Sequence, residues 1–240
     1  ATWLPAGSMT AAPAVSPIDA VGAWQQVSAS PSVVVAVLDT GVLASHPDLV
    51  GRVLSGYDTI ADTAIANDGS GRDSDANDPG DWVTAAENNT RGGPFFECGT
   101  SDSSWHGTQV SGLIGAIANN GQGIAGAAHG VRILPVRVLG KCGGFDSDIL
   151  AGMSWAGGVR QAGLPVNLTP ARVLNMSLGG TGSCSAAYAE AVRTLNAQGV
   201  IIVAAAGNSV GQAVGTPANC PGVIGVAGLR HVGSKVGFSD

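Results

Sequence analysis

Five short runs rich in Val, Ile and Leu recur along this chain with helical repeats between them, and that alternation restricts its possible folds more than any other feature. The runs are Val33 to Leu38, Val131 to Leu139, Arg172 to Leu178, Val200 to Ala205 and Val223 to Leu229. Their length and near-continuous apolar character suit strands buried on both faces. Val110, Leu113, Ile114 and Ile117 stand at i, i+3, i+4 and i+7, which predicts a helix after His106 with one apolar stripe toward the core. Tyr188, Ala191, Val192 and Leu195 repeat that spacing, and Gly199 is placed to end their helix. A third helix is expected to start near Asp146 and Ser147, whose side chains can cap it, and to run through Ile149, Leu150 and Met153. Strands alternating with helices imply a three-layer α/β fold, a mostly parallel central sheet with helices on both faces. With no internal repeat and no linker, residues 1–240 are expected to form a single domain.

Charge removes several classes of partner. The net charge is −6 and the only lysines are Lys141 and Lys235, so no basic patch for nucleic acid or an anionic membrane surface is expected. The longest apolar runs fall far below the roughly 18 residues that a membrane span requires. The start, Ala1-Thr2-Trp3-Leu4-Pro5, has no basic segment followed by an apolar one, so a secreted protein would be seen here in processed form. Four cysteines allow three pairings as two disulfides, or four buried thiols. Cys98 with Cys142 and Cys184 with Cys220 is the favoured pairing: the first two flank loops near the chemical segments, and the second two bracket one helix-strand unit.

The stretch from about Tyr57 to Trp105 breaks the alternation, and irregular segments of that length are uncommon unless functional or braced. Its carboxylates, Asp58, Asp62, Asp68, Asp73, Asp75, Asp78 and Asp81, are dense enough to suggest a bound calcium ion as the brace. Asp73-Ser74-Asp75-Ala76-Asn77-Asp78 begins like an EF-hand loop but lacks glycine at the sixth place and glutamate at the twelfth. The plainer alternative is a solvated acidic loop.

Three segments carry chemistry. Asp39-Thr40-Gly41 follows a strand, where open α/β sheets gather their functional groups, and a buried carboxylate there can orient an imidazole. His106-Gly107-Thr108 opens a helix, a rigid mount suited to a general base. Asn208, after Ala206-Gly207 at a strand exit, can donate an amide hydrogen to an oxyanion. Each also has a structural reading: a turn cap for Asp39, a core histidine for His106, a turn residue for Asn208. It is their company that favours catalysis, and His46, His129 and His231 have none comparable. Val37-Leu38-Asp39-Thr40-Gly41 equally matches the aspartic-protease string, but those enzymes share one proton between two carboxylates, and this chain has one such string.

Together the segments resemble the subtilisin-like serine proteases. Val35 to Gly41 is similar to the family's aspartate motif and His106 to Gly112 to its histidine motif. Asn175-Met176-Ser177-Leu178-Gly179-Gly180 resembles the strand lining the primary specificity pocket, and Ala204 to Asn208 the oxyanion segment. The resemblance runs from about Ile18 to Asp240, and the acidic loop, cysteines and tryptophan-rich start look most like secreted, extracellular bacterial members.

What the resemblance implies is a serine endopeptidase acting on polypeptides, with Asp39, His106 and Asn208 catalytic. A substrate strand would lie between Gly143-Gly144 and Ser177-Leu178-Gly179, with Ala205 and Gly207 shaping a pocket. His46-Pro47-Asp48-Leu49 matches a further family string whose aspartate binds structural calcium, which makes Asp48 a candidate ligand beside Asp73, Asp78 and Asp81 of the acidic loop; the resemblance also implies a propeptide removed on maturation. Gln109 departs from the histidine usual after His-Gly-Thr. The segment holding the nucleophilic serine is not in these residues; Ser101, in Cys98-Gly99-Thr100-Ser101, lies on the wrong side of His106 and precedes Asp102. The serine is expected from a segment beyond Asp240, without which this chain would be inactive. The alternative is a peptide-binding scaffold without a nucleophile.

Overall fold

The computed structural model describes residues 18–27, 30–230 and 233–240. The amino-terminal start read above and His231 lie outside them. In chain order the elements are α1 (Ala20–Gln26), β1 (Val34–Asp39), β2 (Tyr57–Asp58), α2 (Thr63–Ala66), α3 (Ala85–Asn89), α4 (His106–Gly115), β3 (Arg132–Arg137), α5 (Asp146–Ala156), β4 (Val173–Met176), α6 (Ala186–Ala197), β5 (Ile201–Ala205) and β6 (Val223–Val226). Six strands form one parallel sheet in the order β2-β3-β1-β4-β5-β6. All five expected strands are present, each trimmed at one or both ends, but burial on both faces fails at the β6 edge, where Ile224 and Val226 are exposed, and at Ile201 of the neighbouring β5.

Alternate residues of the central strands feed two cores. Ala36, Leu38, Leu134, Val136, Leu174, Met176, Ile202 and Ala204 pack with α5 and α6 through Ile149, Met153, Trp155, Tyr188, Val192 and Leu195. Val35, Val37, Val131 and Ile133 pack on the other face with Val110 and Ile114 of α4. Helices therefore cover both faces, the expected three-layer α/β arrangement. No helix among the described residues is long and apolar enough to cross a membrane.

Two helix expectations need correction. The most buried line of α4 is Gly107, Ser111 and Gly115, small residues that bring the helix close to the sheet, while Leu113 of the expected stripe is exposed. Ile117 lies past the helix end. On α5 neither Asp146 nor Ser147 is the cap: Phe145 holds that position without a side-chain bond, and Asp146 sits in the first turn.

The irregular stretch is braced by cations of the protein itself and by a disulfide. Arg137, at the end of β3, is buried and donates from Nη1 to Asp58 (2.5 Å) and Asp68 (2.8 Å), from Nη2 to the Ala66 carbonyl, and from Nε to the Thr40 carbonyl (3.1 Å). Arg72 pairs with buried Asp148 at 2.7 Å. Lys141 pairs with Glu87, under the rings of Trp82 and Phe95. Cys98–Cys142 and Cys184–Cys220 are the two disulfides, the favoured pairing.

Candidate active site

Because every strand runs the same way, the carboxyl ends of β1, β4 and β5 share one rim of the sheet, the rim where such folds gather their ligand groups. Asp39 ends β1 there, fully buried. Its Oδ1 accepts from the Thr40 amide at 2.8 Å, and Oδ1 and Oδ2 lie 2.8 and 2.9 Å from Nδ1 of His106. His106 is the first residue of α4, its side chain 44% exposed, so one ring edge meets the carboxylate and the rest faces outward. The bond to Asp39 raises the imidazole pKa above its ordinary value. Partial burial opposes that rise, and the charges of Asp39 and Asp81 add to it.

The mount of that histidine is built from small contacts. The Gly107 amide donates to Thr40 Oγ1 at 3.1 Å, and Thr40 Oγ1 donates in turn to Oδ2 of Asp78 at 2.6 Å. The amide of His106 donates to Ser104 Oγ, whose hydroxyl donates to Asp81. Gln109, the departure from the usual motif, reaches back from Nε2 to the Ser104 carbonyl at 2.8 Å and ties the helix to the loop before it.

Asn208 follows β5 and lines a cavity of about 440 Å³ together with Ser177, Leu178, Gly179, Ala205 and Gly207. A neighbouring cleft of about 480 Å³ is lined by His106, Thr40, Gly143, Gly144, Ser177, Leu178 and Gly179. The two share Ser177 to Gly180 and Thr216, so every predicted substrate-binding residue borders one continuous depression that also holds His106 and Asn208. Ser101 borders neither cavity; it pairs with Val83 in the irregular stretch. Asp39 faces an imidazole and not a second carboxyl, which removes the aspartic-protease reading.

The four carboxylates expected to bind metal do not converge. Asp48 accepts from Asn120 Nδ2 (2.7 Å) and the Ile124 amide (2.8 Å), Asp73 from Ser70 and the Asp75 amide, Asp78 from Thr40 and the Gly80 amide, and Asp81 from Ser104. Among the described residues no three His, Cys, Asp or Glu side chains gather as a metal site. Calcium takes six to eight oxygens, main-chain and amide carbonyls among them, so each of these carboxylates could contribute only as one ligand of a separate site. Burial raises the pKa of Asp78, opposed by its bonds from Thr40 and Gly80.

Sequence reasoning passed over Thr40, Ser104 and Asp146 as site residues. Only Thr40 had a usable signal, its place directly after Asp39.

The geometry agrees with the comparisons. The profile of the subtilase family matches residues 30–239. An extracellular protease of Xanthomonas campestris pv. campestris is 46% identical over 91% of this chain and 36% of its own length. An extracellular basic protease of Dichelobacter nodosus is 44% identical over 90% of the chain and 36% of its own. Among solved structures, a protease of Pseudoalteromonas arctica aligns with a TM-score of 0.82 at 48% identity, over 91% of this chain and 62% of that one. The chain thus spans about a third of the length of these curated relatives. A buried aspartate bonded to a helix-mounted histidine on the rim of a parallel sheet, within a matched span covering most of the sequence, leads to one assignment: this chain belongs to the subtilase family.

Proposed function

We propose that the protein containing this chain is a secreted serine endopeptidase that hydrolyses polypeptides through an acyl-enzyme, with the nucleophilic serine supplied by a segment outside residues 1–240. The observation that carries the reading is the 2.8 Å contact between Asp39 and His106 beside a groove that Asn208 also borders. His106 takes the serine proton as base and returns it to the leaving amine as acid. Asp39 holds the imidazole tautomer and balances its charge, and Asn208 donates to the oxyanion. A substrate strand lies between Gly143-Gly144 and Ser177-Leu178-Gly179, held by main-chain hydrogen bonds. Both disulfides, and relatives named as extracellular proteases, support secretion.

Support for the outside segment comes from the sheet. Register places Val35, Val173 and Ile201 on one face, and Val37, Asn175, Val203 and Ile224 on the same face, which α4 covers only over β1 and β3. Ile201 (50%), Ile224 (54%) and Val226 (51%) stand exposed beyond it. An apolar element laid along this face would bury them, and at the Val226 end it would reach the rim where the serine is needed.

The test is covalent labelling of the full-length protein by a serine-directed sulfonyl fluoride, with peptide hydrolysis followed in parallel. Labelling of one serine outside residues 1–240, lost activity with it, and inactivity of the isolated chain are expected. Peptide binding without labelling or hydrolysis would instead favour the nucleophile-less scaffold.

A further inference from the structure

The cleft beside His106 has a feature that cutting alone does not use. Leu139, Ile149 and Leu178 give it apolar walls, and Tyr188 and Asp146 border it together. The Tyr188 hydroxyl, on a buried ring, donates to Oδ1 of Asp146 at 2.9 Å and fixes that exposed carboxylate at the cleft, rather than leaving it free to swing into solvent. Asp146 sits in the first turn of α5. Asp81 borders the same cleft, and the lining contains no lysine or arginine. A cleft lined by both apolar side chains and a tethered carboxylate suits a long aliphatic stem with a cationic head.

We propose that this cleft is a specificity subsite selecting a lysine or arginine side chain of the substrate, with Asp146 receiving the charged head and Tyr188 positioning Asp146. The residue selected is a different one from that seated in the cavity at Asn208, because neighbouring side chains of an extended strand point opposite ways. The inference rests on the reading above that the groove takes a polypeptide, but its test does not depend on turnover.

Fluorescent peptides differing only by Lys, Arg, norleucine or Glu at one position, scanned along the sequence, are titrated onto the full-length protein treated with the sulfonyl fluoride, and their cleavage by the untreated protein is measured separately. At one position Lys and Arg are expected to bind about five- to tenfold tighter than norleucine, as a partly exposed charge-assisted hydrogen bond provides, with the gap closing at high salt. Asp146→Asn should abolish the difference while leaving norleucine binding unchanged, and Asp146→Lys should turn the preference toward Glu. In kinetics the loss should fall on kcat/KM for the basic peptides alone. Equal binding of Lys and norleucine peptides at every position, or a preference that survives Asp146→Asn, overturns the subsite even if cleavage is normal. Selective binding without any cleavage would uphold it while overturning the protease reading.

Discussion

Gly107 lies so close against Gly41 that a Cβ built on it would overlap the Gly41 carbonyl oxygen and crowd the Cβ of Asp39. The helix that carries His106 can approach β1 only because this residue has no side chain. Gly107→Ala is therefore expected to push the start of α4 outward, stretch the Asp39–His106 bond and cost about 1–3 kcal/mol, the usual range for overpacking. Urea unfolding and turnover together check this. A variant with unchanged midpoint and unchanged turnover would show that the close approach is not required.

Asp39→Asn should lower turnover by about 10⁴, since the amide holds the imidazole in the wrong tautomer. A pH signature accompanies the loss. Because the folded pKa of His106 is raised, chiefly by its bond to Asp39, activity that needs the neutral base should switch on above the ordinary histidine value of about 6.5. The same rise means that the pair's contribution to stability is complete below that ordinary value and fades as pH climbs through the folded one. Asp39→Asn should lower the imidazole pKa, and its stability deficit should be largest in acid and shrink toward alkaline pH. NMR titration of the ring and melting curves across pH 5–9 measure both; a deficit that grows with pH would contradict the assignment.

The chemical segments were legible in the sequence because each sits where a long apolar element stops, and such elements are fixed by their own composition. The run ending at Asp39 reads as a strand buried on both faces and is one, and the run ending near Asn208 is a strand too, although it lies next to the edge and leaves Ile201 half exposed. What stayed hidden had no periodic signal. β2 is only two residues, Tyr57 and Asp58, formed because β3 offers it a partner. Two short helices depend on local caps, Asp62 on one and the Thr84–Glu87 capping box on the other. The small-residue face of α4 misled because close approach was favoured over burial of Leu113. Carboxylate density left the partners of each group unread: sequence counts oxygens, whereas Asp48, Asp73, Asp78 and Asp81 each turn to separate amides and hydroxyls.

Arg137 is, with Lys141, one of two buried cations that brace the irregular stretch. Burial pushes the Asp58 carboxyl up to about 7 even with the guanidinium beside it pulling the other way. Arg137→Met removes that pull, leaves Asp58 without its ion partner and frees the carbonyls of Thr40 and Ala66. Breaking one side of a buried pair costs about 3–5 kcal/mol. The loss should be greatest above pH 7, where Asp58 must carry charge, and smaller near pH 5, where it can stay protonated. A pH-independent loss, measured by thermal melts, would mean that Asp58 is not the group left stranded.

Asp78, one of the candidate metal ligands, holds the Thr40 hydroxyl through its carboxylate, and that hydroxyl accepts from the Gly107 amide next to His106. It touches neither substrate nor the reacting atoms, so it is a positioning residue. Asp78→Ala should let Thr40 rotate and loosen the start of α4, lowering kcat by roughly tenfold to a hundredfold, the scale of a misplaced catalytic group, with KM little changed. Asp78→Asn keeps an oxygen acceptor for the hydroxyl and should recover most of the rate. Thr40→Val, which removes both bonds while preserving shape, should reproduce the alanine defect, and the double variant should be no worse than either alone. Additive losses would mean that Asp78 and Thr40 act on His106 separately, and a change confined to KM would place Asp78 in substrate binding.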